Sequence, residues 1–182
     1  LGPDTEPEKE YHFSWRGRAD ARFDCVRMVR DRRYAYHKNY APFAPAGQYL
    51  AYMPRMKATG AWEKVHKAGK TDDVTGRFFE PRVSEELYDN AKDFDNIDNL
   101  IGRRKYRQIE AKLKAEMRRQ QLACFDSGLL PEEIRNRRAA EHGMTVYEMV
   151  RDPGIYPLEK YLDAADISLA RDKKNLKMFV EN

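Results

Sequence analysis

Hydrophobic and polar positions alternate with a period of two near the start of the chain and with a period close to 3.6 further on. Tyr11-His-Phe-Ser-Trp15 alternates aromatic with polar residues and predicts a strand. Asp24-Cys-Val-Arg-Met-Val-Arg-Asp31 carries Val26 and Met28 two apart, and Arg32-Arg-Tyr-Ala-Tyr-His-Lys-Asn39 carries Tyr34 and Tyr36 two apart. The two runs predict an antiparallel hairpin joined at Asp31-Arg32, although that dipeptide lacks the glycine that primed turns favour. On this reading Tyr34 and Tyr36 face a core with Val26 and Met28, while Arg27, Arg30, Arg33 and His37 project from the other face. Glu85-Glu-Leu-Tyr-Asp89 predicts a further short strand centred on Leu87.

Between Arg103 and Phe125 the period changes. Tyr106, Ile109, Leu113 and Met117 recur at spacings of three or four and mark one apolar stripe on a charged helix. Glu110 and Lys114 stand at i, i+4, where opposite charges pair. Asp126-Ser-Gly128 ends this helix, and Pro131 opens another running to about His142. Thr145-Val-Tyr-Glu148 has the acidic residue three positions after Thr that marks a helix start, and Pro157 to Ala170 predicts a final short amphipathic helix. Pro42 to Lys70 reads as a packed excursion containing a short helix from Thr59 to His66 and ending at Gly69-Lys70. Asp93-Phe-Asp-Asn-Ile-Asp-Asn99 does not fit a calcium loop, since Ile97 and Asp98 stand where a ligand and a glycine are needed. It reads as a turn whose Asp and Asn side chains bond nearby backbone. The fold class is α+β: a small antiparallel sheet packed against a long C-terminal helix, with additional short helices. Residues 1–9 form an extended lead-in, 10–170 one folded unit and 171–182 an unassigned tail.

At 182 residues the chain suits one domain with a real core. Charged residues make up 35% of it, with 34 basic against 30 acidic side chains, a net charge of +4, and a mean hydropathy of −0.88. This mixed surface argues against a dedicated nucleic-acid binder, which needs a one-sided basic field. Cys25 and Cys124 have no zinc spacing and make no disulfide scaffold; they read as small packed apolar groups. No apolar run approaches the roughly 20 residues of a membrane span. No secretory leader precedes Leu1, and the chain starts without Met, so compartment is not readable from its start.

Candidate chemistry is sparse. Arg16-Gly-Arg-Ala-Asp-Ala-Arg-Phe-Asp24 holds three arginines and two aspartates in nine residues, a density that calls for neutralisation. Either the cluster pairs with itself or it faces an anion. There is no Gly-x-Ser-x-Gly elbow and no glycine-rich phosphate loop, and His12, His37, His66 and His142 are scattered. His37 stands apart because it closes a strand beside Lys38 and Asn39.

Several segments, in order, resemble the C-terminal subdomain of the sulfatases, within the alkaline-phosphatase-like superfamily; bacterial sulfatases and heparan N-sulfatase are the most similar in pattern. They are Tyr11-His-Phe, Arg16 through Asp24, Val26-Arg-Met-Val-Arg-Asp31, Arg33-Tyr-Ala-Tyr-His-Lys-Asn-Tyr40, Glu85-Glu-Leu-Tyr-Asp89 with Asp93 and Asn99-Leu100, Asp126-Ser-Gly-Leu-Leu-Pro-Glu132, and Tyr156-Pro-Leu-Glu159. The resemblance implies part of an enzyme that hydrolyses sulfate esters, or an N-sulfate, of sulfated carbohydrates. Its calcium and its formylglycine nucleophile are implied for a catalytic domain that this chain lacks, because neither cysteine is followed two residues on by proline. The implied partners are that N-terminal domain and a sulfated glycan, with no membrane. A periplasmic or extracellular location is implied by the resemblance alone. No catalytic residue carries over, and the chain alone is expected to be inactive. The resemblance places Arg16, Arg18, Asp20, Arg22, His37, Lys38 and Asn39 on a wall of the substrate cleft, since the arginine fork suits oxyanions. Tyr49, Tyr52 and Trp62 either offer a sugar-stacking surface or pack against the long helix. The competing reading is a stand-alone basic module for RNA or an acidic partner.

Overall fold

The computed structural model describes residues 9–170. Four short strands make one antiparallel sheet in chain order: β1 (His12–Arg16), β2 (Val26–Arg30), β3 (Tyr34–Asn39) and β4 (Glu85–Asp89). The helices are α1 (Lys57–Lys67), α2 (Arg107–Ala123), α3 (Glu132–Glu141), α4 (Val146–Met149) and α5 (Leu158–Leu169). The fold is the expected α+β arrangement, with the long helix α2 across one face of the sheet.

The stripe on α2 does what its spacing predicts. Leu113 and Met117 are fully buried against Val29, Tyr36, Leu87 and Leu100, flanked by Tyr106 and Ile109. Each such side chain contributes about 1.5–3 kcal/mol when fully withdrawn from water. Lys114 meets Glu110 at 2.8 Å on the helix's own surface and Glu85 of β4 at 2.9 Å. A second apolar cluster joins α3, α4 and α5 through Ala139, Met149, Tyr156 and Leu162. Here Thr145 and Glu148 form the predicted capping box. The Asp93 turn is also as expected, its carboxylate accepting from the amides of Ile97 and Asp98 at 2.9 and 2.8 Å.

The hairpin forms, but β2 enters it with the opposite phase. Val29 lies across from Tyr36, and Phe13 and Leu87 complete the same row on the helix-facing side. Val26 and Met28 therefore face away from Tyr34 and Tyr36, and Arg27, expected on the outside, points inward and is 3% exposed. Four residues, 31 to 34, separate the paired Arg30 and Ala35, and an even loop sets odd positions opposite even ones. Since strands repeat every two residues, that parity turns every side chain of β2 over. The turn is closed without glycine by the Asp31 carboxylate, which accepts from the amides of Arg33 and Tyr34 at 2.8 and 2.7 Å.

The excursion packs on the segment that follows it instead of on the long helix. Trp62 of α1 stacks on Phe78 at 4.7 Å and meets Phe79 edge-on, while Tyr49 and Tyr52 stay exposed. Gly69 ends α1 with a positive φ of 66°, a conformation glycine adopts without cost.

Candidate functional site

The seven residues expected on a cleft wall do not converge. Arg16, Val26 and Asn39 form one row across the outer sheet face, and Ser14, Met28, His37 and Glu86 form the next. Arg16, His37 and Asn39 thus share the face turned away from α2. Lys38, one residue on from His37, points through the sheet to the opposite side, where it pairs with Asp166 of α5 and lies over the Tyr40 ring. It lines a cleft of about 430 Å³ between the sheet end, α2 and α5, together with Tyr36, Glu85, Arg118 and Gln121.

Most of the arginine cluster has internal partners. Arg16 Nε meets Asp24 at 3.2 Å, and Asp24, almost fully buried, is also gripped by Arg82 Nη2 at 2.6 Å. Arg18 reaches Glu132 of α3 at 2.6 Å. Arg22 Nη1 donates to the Ala46 carbonyl at 3.2 Å, while its buried Nε has no acceptor among the described residues. Asp20 takes a left-handed φ of 55° in the tight turn closed by the Ala19–Arg22 bridge. Within the segment only Arg16 and Asp24 pair with each other; Arg18, Arg22 and Asp24 tie it to α3, to residue 46 and to Arg82.

On the outer face, Asn39 is buried and donates to the Val83 carbonyl at 2.7 Å. His37 lies edge-on to Tyr88 with ring centroids 5.9 Å apart, and its Nε2 is buried with no hydrogen-bond partner among the described residues. Burial pushes its pKa down to about 4, so the ring is neutral near pH 7. Burial likewise raises the carboxyl of the neighbouring Glu86, against the opposing hydrogen bonds from Asn39 and Tyr88.

The most constrained polar group on the molecule is one that the alternation pattern pointed outward. Arg27 binds Asp126 in a bidentate fork, Nε to Oδ2 and Nη2 to Oδ1, both at 2.7 Å, with side chains 3% and 6% exposed. Gln121 Nε2 and the Gly128 amide also donate to that carboxylate, at 2.9 and 3.0 Å, and Tyr156 donates to the Asp126 carbonyl at 2.7 Å. Burial drives the Asp126 pKa up, but the hydrogen bonds and charge of Arg27 outweigh it, leaving the carboxyl below its ordinary range. A Cβ on Gly128 would stand 2.2 Å from Arg27 Nη2, so only glycine admits the fork. The sequence signal for this lock was Asp126-Ser-Gly128 after the helix; nothing adjacent to Arg27 named it as the partner.

Beside the lock lies a second cleft, of about 520 Å³, with Arg27 and Asp126 at its floor and Trp15, Phe23, Arg18 and Arg135 among its walls. No three His, Cys, Asp or Glu side chains gather as a metal-binding group among the described residues. Cys25 is a buried thiol donating to the Gly128 carbonyl at 3.4 Å, its pKa pushed up by burial. These residues fit neither a calcium ion nor a formylglycine. Among the described residues no helix is long and apolar enough to cross a membrane.

The described residues thus form an α+β unit with a four-stranded meander, one long helix and a buried Arg27–Asp126 lock. Comparison with known proteins gives it a context. An ulvan-active sulfatase of Formosa agariphila is 29% identical to this chain over 159 residues. The match covers 85% of this chain and 26% of the sulfatase, so the chain spans about a quarter of the length of the curated relative it matches. The chain is thus similar to one region of a sulfatase. No known family profile matches it.

Proposed function

We propose that this chain is the C-terminal part of a sulfatase that hydrolyses sulfate esters, or N-sulfates, of sulfated carbohydrates, and that it forms one wall of the substrate cleft. The observation that carries this reading is the extent of the match: most of this chain aligns with about a quarter of a much longer sulfatase. The complete enzyme would supply its calcium and formylglycine from an N-terminal domain, and an extracellular or periplasmic location goes with the same reading. The surface supports a partner domain. Phe43, Tyr49, Phe94 and Tyr147 are large apolar side chains left 67–88% exposed and open to a partner domain. Arg16, His37 and Asn39 are the expected substrate-facing residues that share the outer sheet face.

The alternative of a basic module for RNA or an acidic partner draws less support, because Arg16, Arg18 and Arg22 are committed to Asp24, Glu132 and the Ala46 carbonyl. The test is sulfate release from a sulfated oligosaccharide by the chain alone, by a separately produced sulfatase catalytic domain, and by the two together. Turnover is expected only when the catalytic domain is present, and is expected to rise when this chain is added. Turnover by the chain alone would sink the assignment, as would a catalytic domain indifferent to it.

A further inference from the structure

The cleft of about 520 Å³ beside the Arg27–Asp126 lock is built unlike the rest of the surface. One wall is aromatic: Phe13 and Trp15 of β1 have ring centroids 6.1 Å apart, and Phe23 continues the wall. Trp15 is 70% exposed at the cleft. An indole held at a cleft mouth by a strand offers a flat apolar face to a ring-shaped ligand at little entropic cost.

The rest of the lining keeps one cation without a carboxylate partner once internal pairs are removed. Arg18, Arg27 and Arg135 face Asp24, Asp126 and Glu132. Asp126 is saturated by Arg27, Gln121 and Gly128, and Asp24 by Arg82 and Arg16. Glu132 is the remaining carboxylate, and it is exposed and holds Arg18. Arg135 has no carboxylate partner among the described residues: its Nη1 reaches the Ser127 hydroxyl at 3.3 Å, and its Nε has no acceptor. Just beyond Phe125, Arg151 lies between the Phe125 and Tyr147 rings, 4.4 and 3.5 Å from their centroids, and adds positive charge. A flat aromatic face sharing a cleft with an under-satisfied guanidinium matches a saccharide carrying an anionic group, with the ring on the indole and the sulfate or carboxylate on Arg135.

We infer that this cleft is a binding subsite for an anionic sugar, with Trp15 as its stacking platform and Arg135 as its anion contact. The inference rests on the sulfatase reading for its ligand class and adds a site that the expected wall residues, Arg18 apart, do not include. In the complete enzyme it would hold a sugar unit away from the one being cleaved, since on that reading the formylglycine lies on the N-terminal domain.

The test is titration of the whole chain with a sulfated uronate-containing disaccharide, followed by isothermal calorimetry. The desulfated disaccharide, a sulfated neutral disaccharide and inorganic sulfate serve as separate arms, which tell sulfate from carboxylate recognition. Arg135→Gln is expected to weaken binding about tenfold, the scale of one charge-assisted hydrogen bond. Trp15→Ala is expected to weaken it several-fold, and because Trp15 lies at the surface this variant keeps the fold. Arg135→Lys, which retains charge without the fork, should recover part of the loss. Binding of any of the three anionic disaccharides, with loss in both variants, supports the site. Equal binding by wild type and both variants, or binding of inorganic sulfate alone without any sugar dependence, overturns it. Saccharide binding without any effect of the chain on catalytic-domain turnover would remove the enzyme assignment and leave the site standing. An effect on turnover with no saccharide binding would do the reverse.

Discussion

Replacing Arg27 by methionine keeps most of the side chain's volume and removes its charge, leaving Asp126 buried without its main partner. Arg27 and Asp126 are 3% and 8% exposed, so water does not take over from the lost guanidinium. Breaking one side of a buried ion pair costs about 3–5 kcal/mol. Asp126 keeps its bonds from Gln121 and the Gly128 amide, which places the expected loss near the lower figure, about 3 kcal/mol. A domain of this size has on the order of 5–15 kcal/mol in total, and the denaturant slope for urea is about 1–3 kcal/mol per molar. The urea midpoint should therefore fall by roughly 1–3 M, read by far-ultraviolet circular dichroism. Arg27→Met combined with Asp126→Leu removes the stranded charge as well. It forfeits only the carboxylate's bonds to Gln121 and to the turn at Ser127–Leu129, about 1–2 kcal/mol. The double variant should accordingly be more stable than Arg27→Met alone. The pair also has an acid signature. The folded-state pKa of Asp126 is depressed, so its contribution is full above the unfolded value of about 3.9 and disappears as pH falls through the folded one. Arg27→Met should flatten that acid limb. A single variant costing less than about 1 kcal/mol, or a double variant no better than the single, would refute the account of a stranded charge.

Gly128→Ala tests the same lock sterically. Its Cβ meets Arg27 Nη2 at 2.2 Å, so a loss of about 1–3 kcal/mol is expected in urea unfolding, and a change below about 0.5 kcal/mol would mean the fork moves aside freely. His37 predicts a pH dependence of its own. Its pKa is pushed down to about 4 from the ordinary 6.5, so the unfolded chain binds more protons between those values and stability rises with pH across that window. His37→Leu should remove the slope between pH 4 and 6.5, by at most about 3 kcal/mol, and an unchanged slope would show that other groups set it. Thr145→Ala removes the capping box at α4 and is expected to lower stability by about 1 kcal/mol. A thermal midpoint equal to wild type would contradict that.

The elements were legible because each rests on a short-range pattern. Tyr106, Ile109, Leu113 and Met117 belong to one stripe at helical spacing whatever covers them. Thr145 and Glu148 satisfy each other's backbone within one turn, and Asp93 does the same for the amides of Ile97 and Asp98. The candidate site was less legible. Adjacent positions on a strand point to opposite faces, so His37 and Lys38 cannot share a wall. The cluster from Arg16 to Asp24 shows its charge in the sequence but not its partners, of which Arg82 and Glu132 lie 58 and 114 residues from Asp24 and Arg18.

Composition and periodicity by themselves determined a charged α+β chain with a two-strand hairpin, a long amphipathic helix and its caps. These follow from bonds and burial within a few residues. The tertiary structure decided which face of β2 is buried: any even loop, the Asp31–Arg32 turn included, sets odd positions opposite even ones, and the packing of Val29 under α2 chose the odd set. It also decided that Arg27 locks onto Asp126 beneath the end of α2. A guanidinium in the interior is tolerated only where a carboxylate arrives from elsewhere in the chain, and 99 residues separate these two.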